Sequence, residues 1–215
     1  MEYREYGNPA SELVLIQPVD RRELAGMERE LEALNSPAGR DFRLLAVEIE
    51  DWNRDLSPWT APPVFGREAF GGGARATLDR LLPLCQDQEK TYVLGGYSLA
   101  GLFALWAACE ADRFAAVAAA SPSLWFPGFT DYLESRGLRC GPVYLSLGDR
   151  EHRARNPLLA ASGDKIRQVH GLLKDRGMDC TLEWNPGNHF RDPELRTAKA
   201  FGWVMDRIQN TKKEA

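Results

Sequence analysis

The most informative stretch of the chain is residues 91–106, TYVLGGYSLAGLFALW. It begins as a short apolar strand, passes through a serine, Ser98, and continues as a helix rich in Ala and Leu. This order predicts a tight strand–turn–helix in which the serine hydroxyl projects from the end of a sheet. The small residues Gly96 and Ala100 fit the crowding of such a turn. Serines in Gly-rich turns are often only structural, but the flanking strand and helix favour Ser98 as a nucleophile.

Strands and helices alternate on both sides of this stretch. Continuous apolar runs predict buried strands at residues 13–17, 43–49, 114–120, 141–148 and 180–185. Helical spacing of apolar residues predicts helices at 21–34, 74–85, 99–111 and 157–176, and a final one from residue 193. This alternation predicts an α/β protein with a mostly parallel sheet and helices on both faces. At 215 residues the chain suits one domain, residues 1–215.

Composition excludes several classes of partner. The 27 basic and 31 acidic residues give a net charge of -4 without a basic block, so we expect neither nucleic acid nor an anionic membrane as partner. The first residues lack a signal-peptide pattern and no apolar run reaches membrane-spanning length, which predicts a cytoplasmic protein. The four cysteines are widely spaced and predict reduced, mostly buried thiols with no metal or cofactor.

Aromatic residues supply candidate walls for a substrate pocket. The long irregular stretch from residue 50 to 73 contains Trp52, Trp59 and Phe65. A loop of that length usually shapes a binding site, although its aromatics could equally pin the loop to the core. Trp125 follows the strand at 114–120 and is a second candidate, because sites form at the carboxyl ends of parallel strands. Tyr97, beside the serine, is the third.

A serine nucleophile needs a histidine base. Of the three histidines, His170 lies in the middle of a predicted helix, where packing or surface exposure is its expected role. His152 lies in an Arg-rich loop and is the second choice. His189 lies in a Gly-Asn-His turn between the last strand and the final helix, and it comes last in the order serine, acid, histidine. We therefore predict His189 as the base.

The orienting acid and the oxyanion donors follow from the same topology. The loop after Gly148 offers two carboxylates, Asp149 and Glu151, which the residues alone do not separate. The amide of Leu99 directly follows the nucleophile, and it is the first predicted oxyanion donor. The second should come from the end of the first long strand, at Val19 or Asp20, because the preceding Pro18 has no N–H.

Four segments together resemble the α/β-hydrolase superfamily, in its branch of enterochelin-esterase-like and feruloyl-esterase-like proteins. They are residues 96–104 (GYSLAGLFA), 121–125 (SPSLW), 148–151 (GDRE) and 187–190 (GNHF). The resemblance implies a three-layer α/β-hydrolase fold, and it ranks Glu151 above Asp149 as the acid. Two departures stand out: QPVD at 17–20 replaces the relatives' His-Gly-Gly, and no basic cluster for gripping catecholate siderophores is present.

These observations predict a serine hydrolase that cleaves small-molecule carboxylic esters through an acyl-enzyme without a cofactor. Ser98 attacks, His189 carries the proton, Glu151 orients the imidazole and Leu99 helps to hold the oxyanion. One alternative is a catalytically silent binding module on the same fold. Another is a thioesterase or an acyltransferase, because the same acyl-enzyme serves any acceptor that reaches it. The sequence indicates neither the acyl group, nor the alcohol, nor the oligomeric state.

Overall fold

A seven-stranded sheet runs through the computed structural model, which describes residues 1–35, 40–64 and 66–214. Phe65 therefore lies outside the described residues. The main strands are β1 (Tyr3–Gly7), β2 (Leu13–Val19), β3 (Arg43–Glu48), β6 (Thr91–Tyr97), β7 (Ala116–Ala120), β8 (Val143–Gly148) and β9 (Cys180–Asn185). Two short strands, β4 (Thr60–Ala61) and β5 (Phe70–Gly71), form a separate hairpin.

Eight α-helices are described around the sheet. They are α1 (Arg21–Asn35), α2 (Trp52–Asp55), α3 (Ala74–Leu81), α4 (Leu99–Glu110), α5 (Phe129–Arg136), α6 (Pro157–Ala160), α7 (Ser162–Asp175) and α8 (Pro193–Glu214). Short 3-10 helices cover Leu82–Cys85 and Glu151–Arg153. No helix in the described part of the chain is long and apolar enough to span a membrane.

The strand order β1-β3-β2-β6-β7-β8-β9 explains where a site can form. Within the described part of the seven-stranded sheet, only the edge strand β1 pairs in the antiparallel sense, against β3; the other neighbours are parallel. The carboxyl ends of β2, β6, β7, β8 and β9 consequently meet along one edge of the sheet. In open parallel sheets that edge is the place where ligands bind.

Two hydrophobic layers cover the two faces of the sheet. Alternate residues along each strand point to opposite faces, so neighbours such as Leu15 and Ile16 belong to different layers. The larger layer packs α3, α4, α5 and α7 against one face, and the other packs α1 and α8. Helix α4 is buried on all sides over Leu99–Cys109, which is the pattern of a helix in the centre of a core. The predicted three-layer α/β arrangement is confirmed.

Some details differ from the sequence prediction. Strand β1 and helices α2 and α5 were not expected, because short elements in polar stretches give a weak periodic signal. The helix expected at 157–176 is divided into α6 and α7 around Ala161. The helix expected at 74–85 ends in a 3-10 turn that carries Pro83, since proline cannot continue the α-helical hydrogen-bond pattern.

Candidate active site

Ser98 lies on a sharp turn between β6 and α4. Its backbone dihedrals are φ 56° and ψ -118°, a conformation that non-glycine residues rarely adopt. The turn is as crowded as its sequence predicts: a Cβ at Gly96 would lie 2.6 Å from the Cβ of Ala100. The strained backbone and the small neighbours leave the half-buried serine hydroxyl at the carboxyl edge of the sheet.

The Ser98 hydroxyl has two side-chain neighbours. Its Oγ lies 3.0 Å from Nε2 of His189 and 3.2 Å from Oγ of Ser123. The buried Ser123 also donates its backbone N–H to the carbonyl oxygen of Ser98, at 3.1 Å, so the segment after β7 holds the turn from the side. His189 and Ser98 are 91 positions apart in sequence, and the parallel sheet brings them together.

The other ring nitrogen of His189 faces Glu151. Nδ1 lies 2.7 Å from Oε2 of this carboxylate, which is buried in the 3-10 turn after β8. Burial, the largest single cause, raises the pKa of Glu151, whereas the hydrogen bond and the charge of His189 lower it. The Gly148 N–H and the Ser121 hydroxyl add to that effect, at 2.7 and 3.0 Å from Oε1, and the pKa lies below its ordinary value. Glu151 is therefore ionised at neutral pH.

Asp149 lies two residues before Glu151 and has different surroundings. Its side chain is 51% exposed, and Oδ1 accepts the backbone N–H of Gly187 at 2.7 Å. Asp149 thus ties the loop after β8 to the loop that carries His189, while Glu151 contacts the imidazole itself. The geometry separates the two carboxylates that the residues alone left open.

Arg196 was not expected near the site. Only 3% of this α8 residue is exposed, and Nη1 lies 3.2 Å from Oε1 of Glu151. Nη1 also lies 3.1 Å from the hydroxyl of Tyr97, which in turn donates to the carbonyl oxygen of His189 at 2.8 Å. Burial raises the pKa of Tyr97 to about 12, so the phenol remains a neutral donor. Nothing in the sequence marks Arg196 beyond its position among the apolar residues of an amphipathic helix.

A pocket of about 450 Å³ opens in front of Ser98 and His189. It lies between α1 and the start of α8, and many of its described lining residues are charged. Five acidic and two basic side chains line it, together with aromatic rings at Trp52, Tyr97 and Phe190. The charged lining residues are Asp20, Glu23, Glu30, Asp192, Glu194, Arg22 and Arg29. Arg29 pairs with Asp192 and Glu194, so acidic groups remain in excess on the α1 side.

The tryptophans predicted as pocket walls lie elsewhere. Of the three aromatic candidates, Tyr97 lines the pocket, whereas Trp59 and Trp125 are not among its lining residues. Trp59 donates Nε1–H to the carbonyl oxygen of Pro127 at 3.0 Å and packs edge-on against Phe126. Trp125 is 7% exposed and belongs to the larger hydrophobic layer. Trp59 and Trp125 thus pack in the loop and the core, whereas Trp52, another aromatic residue of the long loop, lines the pocket.

The predicted oxyanion donors have different positions. Leu99 is the first residue of α4, where a helix leaves its N–H groups without an intrahelical partner. Val19 ends β2 in register with Glu48 of β3 and is not among the described lining residues of the Ser98 pocket, and its role as a donor stays a prediction. Asp20 does line that pocket, but its N–H donates to Oε2 of Glu23 at 3.1 Å. Glu23 N–H in turn donates to Asp20 Oδ1 at 2.7 Å, a capping box that begins α1.

Two carboxyl groups in the α1 wall have raised pKa values. Burial, with the nearby charge of Asp20, raises the pKa of Glu23 well above its ordinary value. Burial raises the pKa of Glu30 to about 8, against which the hydrogen bond from Gln17 Nε2 acts only weakly, at 3.3 Å. Glu30 is therefore mostly protonated at neutral pH.

Comparison with known proteins agrees with this architecture. No family model matches the chain. The uncharacterized protein YbbA of Bacillus subtilis is 25% identical over 187 residues, which are 78% of this chain and 75% of that protein. The siderophore hydrolase EstA of Aspergillus nidulans is 20% identical, with a TM-score of 0.66 over 92% of this chain and 85% of its own. An IroE-like serine hydrolase from Shewanella oneidensis is 16% identical, with a TM-score of 0.72 over 95% and 80% of the two chains. As the four sequence segments predicted, the chain has the α/β-hydrolase fold.

Proposed function

We propose that the protein is a serine hydrolase that cleaves carboxylic esters through an acyl-enzyme. One observation carries the proposal: the imidazole of His189 lies between the Ser98 hydroxyl, 3.0 Å from Nε2, and the buried Glu151 carboxylate, 2.7 Å from Nδ1. These are the distances and the order of groups that a serine nucleophile requires. The names of EstA and of the IroE-like protein describe hydrolases on the same fold.

The chemistry follows from these contacts. Ser98 Oγ attacks the ester carbonyl carbon while its proton passes to Nε2 of His189, and Glu151 stabilises the imidazolium that forms. The carbonyl oxygen becomes an oxyanion, for which the N–H of Leu99 is a donor. When the C–O bond breaks, the leaving alkoxide takes the proton from Nε2 and departs as the alcohol. Water then attacks the acyl-enzyme by the same steps in reverse and releases the acid and free Ser98.

The pocket favours short, polar esters. Its volume of about 450 Å³ limits the length of the acyl chain, and charged side chains share its lining with the rings of Trp52, Tyr97 and Phe190. Glu23 and Glu30, two carboxyl groups in its α1 wall, have raised pKa values. In its protonated form such a group can both donate and accept a hydrogen bond. The expected substrate is accordingly a small-molecule ester with hydrogen-bonding groups.

The four free cysteines suit a reducing compartment, and we propose the cytoplasm as the location of the protein.

A fluorophosphonate probe tests the proposal directly. The folded protein should become labelled at one site, and Ser98→Ala should abolish both the label and the hydrolysis of p-nitrophenyl acetate. Ser123→Ala is the matched control: it removes the neighbouring hydroxyl and should leave the label in place. Hydrolysis should fall as the acyl chain of the p-nitrophenyl ester lengthens from acetate to octanoate.

Other outcomes of these experiments would favour a different function. A folded protein that binds ligands but never reacts with the probe would be a silent binding module. Labelling at Ser98 with faster transfer to added alcohols or thiols than to water would indicate an acyltransferase. Faster turnover of thioesters than of matched oxygen esters would indicate a thioesterase.

A further inference from the structure

The buried side chain of Arg196 connects separate parts of the site. Its Nη1 contacts three side chains, and its Nη2 lies 3.1 Å from the carbonyl oxygen of Pro186 and 3.0 Å from that of Asn188. The three contacts of Nη1 are the Tyr97 hydroxyl at 3.1 Å, the Ser121 hydroxyl at 3.3 Å and Glu151 Oε1 at 3.2 Å. The guanidinium therefore touches the ends of β6, β7, β8 and β9 from the first turn of α8.

One consequence concerns the orientation of the acid. The two oxygens of Glu151 have separate partners: Oε1 lies near Arg196, Ser121 and Gly148, whereas Oε2 lies near His189 alone. A carboxylate held by three donors on one oxygen cannot rotate without breaking them. Oε2 thus remains directed at Nδ1 of the imidazole.

A second consequence concerns the loop that carries the base. The carbonyl groups of Pro186 and Asn188 both bond to Nη2, and they stand on either side of Gly187 just before His189. Tyr97 extends the contact, because its hydroxyl accepts from Nη1 and donates to the carbonyl oxygen of His189. One planar guanidinium therefore fixes both the acid and the backbone of the base, which a point charge cannot do.

The charge of Arg196 acts on the same pair. A buried guanidinium is costly unless it is paired, and its partner here is the carboxylate that faces the imidazole. Because Glu151 lies between Arg196 and the imidazole of His189, the guanidinium neutralises part of the carboxylate charge that faces Nδ1.

We propose that Arg196 is the positioning residue of the catalytic centre. Its planar guanidinium holds Glu151 and the His189 loop in place relative to Ser98, and its charge weakens the electrostatic attraction between Glu151 and a proton on His189. This inference rests on the proposed ester hydrolysis. It concerns how the acid and base are arranged, so it can fail while the hydrolase assignment stands.

Three variants separate geometry from charge. Arg196→Lys keeps a positive charge but loses the planar fork, whereas Arg196→Gln loses both. Tyr97→Phe removes only the hydroxyl link and leaves the guanidinium in place. Each variant is purified, its fold is checked by circular dichroism, and kcat and KM for p-nitrophenyl acetate are measured from pH 5 to 9. Fluorophosphonate labelling of the wild-type protein establishes beforehand that the hydrolase assignment holds.

The expected pattern is specific. Arg196→Lys should lower kcat by about 100-fold with little change in KM, and the acid limb of kcat/KM should not move. Arg196→Gln should lower kcat further and move the acid limb to higher pH, because uncompensated Glu151 stabilises the imidazolium. Tyr97→Phe should lower kcat by about tenfold without moving the limb. In the described structure Glu151 contacts His189, and Arg196 contacts Glu151. The adjoining pocket adds Asp20, Glu23, Glu30, Asp192, Glu194, Arg22 and Arg29, all unchanged in the three variants. Glu30, with a pKa of about 8, titrates within the assay range in wild type and variants alike.

Two results would overturn the inference in an active wild-type enzyme. One is a kcat within about twofold of wild type in folded Arg196→Lys and Tyr97→Phe, which would show that the fork positions nothing. The other is an acid limb in Arg196→Gln that stays at the wild-type pH, which would remove the role of the charge. If Arg196→Gln does not fold, the kcat values of the other two variants still decide.

Discussion

Different interactions hold the two sides of the site in place: the serine side, which is the turn around Ser98, and the histidine side, which comprises His189 and Glu151. Ser98 stands between a buried strand and a helix that is buried on all sides, and close steric contact fixes its turn. His189 and Glu151 stand on loops, and hydrogen bonds and charges from Arg196, Ser121 and Gly148 hold them. A substitution that changes side-chain volume should therefore disturb the serine side, whereas a substitution that changes charge should disturb the histidine side.

The largest expected effect comes from charge on the histidine side. Glu151→Gln keeps the shape of the side chain but removes the carboxylate, and it should lower kcat by about 10³- to 10⁴-fold because the imidazolium loses its partner. Asp149→Asn is the matched control, since its oxygen can still accept the Gly187 N–H, and kcat should stay within about tenfold. Steady-state kinetics on one p-nitrophenyl ester measures both. Equal losses in the two variants would contradict the separation of their roles.

An intermediate effect should appear in the α1 wall of the pocket. The native pKa of Glu30, about 8, exceeds its ordinary value of 4.5, so the native state binds this proton more tightly than the unfolded state does. The stability that the proton provides is complete below pH 4.5 and is lost as the pH rises to 8. The free energy of unfolding of wild type should fall by about 3 kcal/mol from pH 5 to pH 8 relative to Glu30→Gln.

Thermal and urea unfolding at several pH values measure this difference. Glu28→Gln, at an exposed position of the same helix, is the control and should track wild type. A constant difference between wild type and Glu30→Gln over this range would mean that the carboxyl group is not buried as described.

The smallest effect tests volume on the serine side. A Cβ at Gly95 would lie 2.6 Å from the carbonyl oxygen of Ala118 and 2.8 Å from Cε1 of Phe201. Gly95→Ala should therefore lower the free energy of unfolding by about 2 kcal/mol, through overpacking between β6, β7 and α8. Gly171→Ala in α7 has no heavy atom within 4 Å of the added carbon and should instead raise stability by about 0.5 kcal/mol. Urea unfolding distinguishes the two, and a neutral Gly95→Ala would contradict the steric account.

The same contrast explains what the sequence could predict. The turn around Ser98 is encoded by neighbours such as Gly96 and Ala100, and alternating apolar runs encode the strands and most helices. The order of residues along the chain also predicted that Ser98, His189 and an acid after Gly148 would meet, and the resemblance to known esterases ranked Glu151 above Asp149 as that acid. Whether those three residues act as proposed stays a prediction until the activity is measured.

Other features depend on contacts that no local pattern records. Arg196 is a charged residue in an amphipathic helix, and only the assembled loops reveal its partners. The places of Trp59 and Trp125 were equally hard to predict, because an aromatic residue in a loop can either anchor the loop or line a pocket. The oxyanion side was uncertain for a similar reason: one residue of register separates Val19, in the β2–β3 ladder, from Asp20, on the pocket wall.

The position of Arg196 also has a consequence for biosynthesis. Ribosomes make the chain from the N-terminus, so Ser98 is synthesised almost a hundred residues before the first turn of α8. A partly translated polypeptide therefore carries the serine without the guanidinium that arranges its acid and base. Under the proposed role of Arg196, hydrolytic activity would arise only after translation has passed Arg196.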